Sequence, residues 1–184
     1  MRSKNHFKDY MILQILSFAF SLLASASQTN LIEWNADRRL TWKDFKAQPD
    51  KHSTNAALTS SSINIEFGYS NSKLKYNIKC RFDQNLSWGR IKNEYILAHE
   101  QGHFDIAEIH ARKLYKSLKA YKFNNRTVSK DVNKIYDTIM KQHHVLQSQY
   151  DEQTNYSRDP AQQDEWRIKI DELLQDLQEF SDYR

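Results

Sequence analysis

Between residues 82 and 95 the hydrophobic period of this chain changes from two to between three and four. Upstream, Ile63, Ile65, Phe67 and Tyr69 alternate with Asn64, Glu66 and Gly68; after Ser70-Asn71-Ser72 the alternation resumes at Leu74, Tyr76, Ile78, Cys80 and Phe82. Successive side chains of a strand point to opposite faces, so two such runs across a short polar turn predict an antiparallel β-hairpin with one buried and one wet face. Downstream, Tyr95, His99, Gly102/His103, Ile106, His110, Leu114 and Leu118 form one stripe, predicting a long helix from after Ser87-Trp88-Gly89 to about Tyr121. A second helix is expected from Ser129 to near Tyr150, with Val132, Ile135, Ile139 and Val145/Leu146 as its apolar side. The third starts clearly: Asp159 as N-cap, Pro160 at the first helical position, Gln162 at the capping-box position, then a stripe of Trp166, Ile170, Leu173, Leu177 and Phe180. The expected fold class is α+β, an antiparallel hairpin followed by a long helix and two more.

Inside the long helix stands His99-Glu100-Gln101-Gly102-His103, an H-E-x-x-H pattern. Two histidines four apart lie one turn apart on the same helical face, so both imidazoles can bind a single Zn²⁺. A glutamate beside the first can hold a metal-bound water and act as its general base. The pattern predicts a zinc metallopeptidase with Glu100 as base. Hairpin, motif helix and further helices follow the order of a zincin-like domain, in which an extended peptide can add to a sheet edge.

A catalytic zinc site needs a third protein ligand and an open position. His110 shares the angular face of His99 and His103 but sits roughly 10 Å beyond His103 along an unbroken helix, so it is read as a packed residue. Glu108 points away from that face and can pair with Arg112 at i+4, a structural role. The remaining donors lie downstream, where His143 and His144 are expected at the end of the second helix. Tyr150-Asp151-Glu152-Gln153-Thr154-Asn155-Tyr156 is expected to follow as a polar loop. Asp151 is the first choice of third ligand, with His143, His144 and Glu152 as alternatives. Tyr156 offers a phenolic hydrogen bond to the oxyanion of a tetrahedral intermediate.

The first 26 residues read as a signal peptide. Arg2, Lys4 and Lys8 precede an apolar run from Met11 to Leu23 that is too short to span a bilayer comfortably, and Ala24-Ser25-Ala26 supplies a small-x-small cleavage site. Cleavage would leave a single domain, residues 27–184, secreted or periplasmic and without stable membrane insertion. The leader carries three basic residues and one acidic, so its loss lowers the formal net charge from +4 to +2. With no Lys/Arg block, that balance argues against nucleic acid as a partner and leaves a peptide or protein substrate. Cys80 is the only cysteine, so no intrachain disulfide is available.

Several separated segments resemble a bacterial family of proposed secreted zinc-dependent proteases, domain of unknown function 922. They are Trp34, Arg39-Leu40-Thr41-Trp42-Lys43-Asp44-Phe45, Ser87-Trp88, the run from Leu97 to Glu108, Tyr150-Asp151 with Thr154, and Gln163 with Trp166. The resemblance implies a metallopeptidase built on the same motif. The family pattern often has histidine where this chain has Tyr156. An exchange of His for Tyr suits a hydrogen-bond donor to the transition state better than a metal ligand. Two rival expectations are an envelope protein whose motif binds metal for folding only, and a metal-free module that docks a partner on its aromatic hairpin.

Overall fold

A computed structural model describes residues 30–70 and 73–183. The predicted leader and the hairpin-turn residues Asn71 and Ser72 lie outside the described residues. Among the described residues, five strands precede the helices: β1 (Leu31–Glu33), β2 (Ala57–Leu58), β3 (Ser61–Ser70), β4 (Lys73–Asp83) and β5 (Trp88–Gly89). Three helices follow, α1 (Glu94–Lys119), α2 (Val128–Gln153) and α3 (Pro160–Asp176). The architecture is α+β with an antiparallel sheet and three helices, as the change of period predicts.

β3 and β4 pair antiparallel with Ile63 opposite Cys80, Ile65 opposite Ile78, Phe67 opposite Tyr76 and Tyr69 opposite Leu74. Except for Phe82, which lies opposite Ser61, every predicted apolar residue therefore faces an apolar residue across the ladder, the pairing that stabilises one face of a sheet. β1 completes the order β1-β4-β3, and β2 and β5 form a separate two-stranded ribbon. Ile63, Ile78, Cys80 and Phe82 pack against Phe104, Ala107, Ala111, Leu114 and Leu118 of α1 and Val128, Val132 and Ile139 of α2. From the other side of α1, Ile106 and Ile109 meet Tyr150 of α2, Trp166 and Ile170 of α3, and Leu177 and Phe180 beyond it.

The motif helix is thus enclosed through its middle on all sides, whereas its sequence predicts a single buried stripe. The sheet covers one flank and α2 with α3 the other, so its polar residues are buried too and need partners. Glu108 is buried and accepts from Arg112 Nε at 2.9 Å and from the Tyr183 hydroxyl at 2.5 Å. The predicted i+4 pair forms, and it does so in the core. Asp105 accepts from the Trp34 indole N–H at 2.7 Å and Gln101 Nε2 at 2.8 Å, and Arg39 lies 3.1 Å away. Gln101 Oε1 accepts the Leu40 amide at 2.7 Å. Through these bonds the segment around Trp34 and Leu40 is fastened to the motif helix itself.

Helix ends follow local chemistry. The Asn93 side chain accepts from the Ile96 amide to cap α1, and Asp159 accepts from the Gln162 amide to cap α3, with Pro160 at its first position. One expectation needs correction. Tyr150-Asp151-Glu152-Gln153, expected in a polar loop, form the last turn of α2. Tyr150 is fully buried and holds that turn against α1, and no glycine or proline interrupts the helix earlier. His143 and His144 consequently lie well inside α2. Val145 is exposed, and Leu146 makes the apolar contact at that level.

Candidate metal centre

The site lies where the motif turn of α1 faces the last three turns of α2. Helical spacing sets both halves: His99 and His103 are four apart on α1, and His143, Gln147 and Asp151 are successively four apart on α2. Nε2 of His99 and Nε2 of His103 lie 3.1 Å apart, and Asp151 Oδ1 lies 3.2 Å from each. Among the described residues these three alone form a group of His, Cys, Asp or Glu donors compact enough to share one ion. Ligand atoms about 2.0–2.2 Å from a tetrahedral zinc stand about 3.3–3.6 Å from one another. The triangle is within a few tenths of an ångström of that spacing, and two imidazoles with one carboxylate are a donor set that zinc accepts.

The neighbours support a charged occupant. Glu100 is only 4% exposed, yet its Oε2 finds no hydrogen-bond partner among the described residues. A carboxyl oxygen left without a partner in a buried place points to something the chain itself does not supply. Tyr150 stacks on His99, with ring centroids 4.5 Å apart and planes 17° from parallel, and donates its hydroxyl to the His99 carbonyl at 3.2 Å. Burial raises the Tyr150 phenol far above its ordinary range, so it stays neutral.

The three groups of the triangle shift one another's titration. Burial works against ionisation of Asp151, but the two imidazoles overcome it and hold the carboxyl well below its usual range. Burial lowers the His99 pKa. It opposes a charge on His103 as well, but the carboxylates of Asp151 and Glu100 outweigh it and raise that pKa. The chain alone thus favours one positive charge among these groups, the place a cation would take.

A cavity of about 400 Å³ opens onto the triangle. Its rim includes the segment Asn55–Ser61 on one side and Tyr156 and Ser157 on another. Thr59 donates its hydroxyl to the Glu100 carbonyl at 3.1 Å, tying that segment to the motif. Tyr156 is 46% exposed and sits in a left-handed stretch with Asn155 and Ser157, φ 50° to 63°. Side chains rarely adopt that backbone conformation, and such residues collect at functional sites. Buried Thr154 shapes the stretch, since its carbonyl accepts the Arg158 and Asp159 amides.

Of the sequence-predicted residues, His99, His103 and Asp151 come together, Glu100 lies beside them, and Tyr156 reaches the cavity rim. His143 lines the same cavity but bonds to Gln147, and neither His144 nor Glu152 joins the triangle. His110 is packed as expected, its Nδ1 donating to the Ile106 carbonyl at 2.8 Å. Gln147 escaped the sequence reading. Its Oε1 is 2.5 Å from His103 Nδ1, and its Nε2 is 2.9 Å from the His103 carbonyl and 3.0 Å from His143 Nε2. The signal was the four-residue spacing of His143, Gln147 and Asp151.

Fold and site define an α+β protein with a histidine–histidine–carboxylate centre fit to hold a cation. A family model described as "Bacterial protein of unknown function (DUF922)" matches residues 25–175, and the chain belongs to that family. No curated protein and no solved structure matches it.

Proposed function

We propose that this protein is an exported zinc-dependent metallopeptidase of zincin-like design. The observation that carries the reading is the triangle of His99 Nε2, His103 Nε2 and Asp151 Oδ1, opening onto a cavity with the Glu100 carboxylate at its wall. His99, His103 and Asp151 would hold the ion. When bound, zinc supplies Lewis acidity that polarises a carbonyl and eases deprotonation of water. Glu100 takes the proton from the attacking water at a carboxylate oxygen and returns it to the departing amine. Tyr156 donates its phenolic hydrogen to the developing oxyanion. Three protein donors facing a cavity favour catalysis over a purely structural ion, which four protein donors would enclose.

The substrate's path is suggested by β2. It pairs with β5 so that the Ala56 carbonyl accepts the Arg90 amide, at 2.8 Å. In an antiparallel ladder the next residue, Ala57, turns its backbone groups to the opposite edge, and Ala57 lines the cavity. An extended peptide adding to that edge would lie across the triangle. The exported location rests on the leader, residues 1–26. No helix among the described residues is long and apolar enough to cross a membrane.

Elemental analysis of the purified protein with a peptide-hydrolysis assay tests the reading. About one zinc per chain is expected in wild type and in Glu100→Gln, and none in His103→Ala. Hydrolysis is expected in wild type alone. Full activity in Glu100→Gln would overturn the mechanism, and wild type that takes up no zinc would overturn the metal site.

A further inference from the structure

We infer that Gln147 is the positioning residue that selects the nitrogen His103 presents to the triangle, and that His143 holds Gln147 in that task. The metal consequence rests on the zinc reading above; the hydrogen-bond arrangement does not.

The assignment follows from donor and acceptor rules. The Gln147 amide atom 2.9 Å from the His103 backbone carbonyl must be the nitrogen, because a carbonyl oxygen only accepts. The other amide atom, the oxygen, then faces His103 Nδ1 at 2.5 Å. That oxygen cannot donate, so Nδ1 carries the hydrogen. Nε2 is left to face His99 and Asp151, where a metal needs a lone pair. The second hydrogen of the Gln147 amide reaches His143 Nε2 at 3.0 Å, so that nitrogen accepts. Each polar atom of the Gln147 side chain therefore has a partner and one orientation.

Gln147 grips ring and backbone of the same residue. The two-point hold fixes the His103 ring relative to its own helix turn, which a simple acceptor would not do. A glutamine also does this without adding charge beside a carboxylate that already balances two imidazoles. Partners of this kind typically change metal affinity by about 10–100-fold when lost.

The full chain with Gln147→Met and Gln147→Glu tests the inference. Methionine keeps the length and volume without polar atoms. Glutamate restores an acceptor for Nδ1–H, and circular dichroism checks that both variants fold. In wild type, ¹⁵N-edited NMR should show the His103 Hδ1 as a downfield, slowly exchanging signal. In Gln147→Met that signal should vanish, and zinc affinity, read by competition with a chromophoric chelator, should fall by about 10–100-fold. Gln147→Glu should restore the signal and bring affinity to within about tenfold of wild type. Persistence of the Hδ1 signal in Gln147→Met would overturn the inference, as would undiminished zinc affinity there or failure of Gln147→Glu to rescue. If wild type binds no zinc, the metallopeptidase reading fails, and the Hδ1 signal alone then decides the role of Gln147.

Discussion

The Tyr150 ring occupies the space that a side chain at position 102 would need. A Cβ built on Gly102 would lie 2.5 Å from the Tyr150 hydroxyl oxygen and 2.8 Å from Cζ. Glycine in a helix interior costs about 1 kcal/mol against alanine, so its presence in the motif is explained by this approach. Gly102→Ala should therefore lower stability by about 1–3 kcal/mol in urea unfolding, despite its better helix propensity. Tyr150→Phe removes the nearest atom, and the cost of Gly102→Ala should be smaller in that background. An alanine that stabilises the wild-type background would contradict the packing.

The choice among carboxylates and histidines of α2 is separable by single substitutions. Asp151→Ala should weaken zinc binding by more than the ~10–100-fold expected for removal of an outer partner. Glu152→Ala and His144→Ala, whose side chains stand outside the triangle, should leave affinity unchanged. Isothermal titration with zinc on the three variants distinguishes them, and equal losses at Glu152 would reassign the ligand.

Arg112 is 2% exposed and Glu108 not at all. Arg112 also donates to the Leu174 carbonyl at 2.8 Å, joining α1 to α3. Arg112→Ala leaves a buried carboxylate without its counter-charge, which typically costs about 3–5 kcal/mol. Replacing both residues with leucine should cost less than Arg112→Ala alone. Urea midpoints for the single and double variants check this, and a double variant as unstable as the single would indicate that packing, and not charge, dominates.

His110 gives stability a defined acid dependence. Burial pushes its pKa down to about 4, so the folded protein keeps it neutral while the unfolded chain takes up a proton near pH 6.5. Below pH 6.5 the unfolded state binds more protons, and stability must fall as pH falls towards 4. From pH 7 to pH 5 this one group should remove about 2 kcal/mol. His110→Leu lacks that loss, so unfolding of the zinc-free variant and wild type at both pH values isolates it. Parallel pH profiles for the two proteins would show that His110 is already charged in the fold.

Local pattern was enough for the hairpin and its buried face, for the presence of α1 and for the start of α3. Alternation from Ile63 to Phe82 sets which residues share the buried face, and Asp159 with Pro160 acts within a single turn. His99, Glu100 and His103 were legible for the same reason, because four-residue spacing on a helix fixes geometry locally. Burial of Glu108 and Arg112 was not legible. It depends on the sheet and the later helices covering α1 from both sides, and a helix's own sequence does not record how many neighbours it acquires.

The third member of the triangle shows where sequence stops. Asp151 stood among four plausible donors until the docking of α2 on α1 brought its carboxylate within 3.2 Å of both imidazoles. Gln147 had a readable spacing but no readable partner, since hydrogen bonding to His103 spans 44 residues of chain. The sequence by itself determined the elements and the two histidines with their glutamate, because those follow from interactions within a few residues. Tertiary structure decided which α2 residues complete the site, because that depends on the rotation and height at which two helices pack.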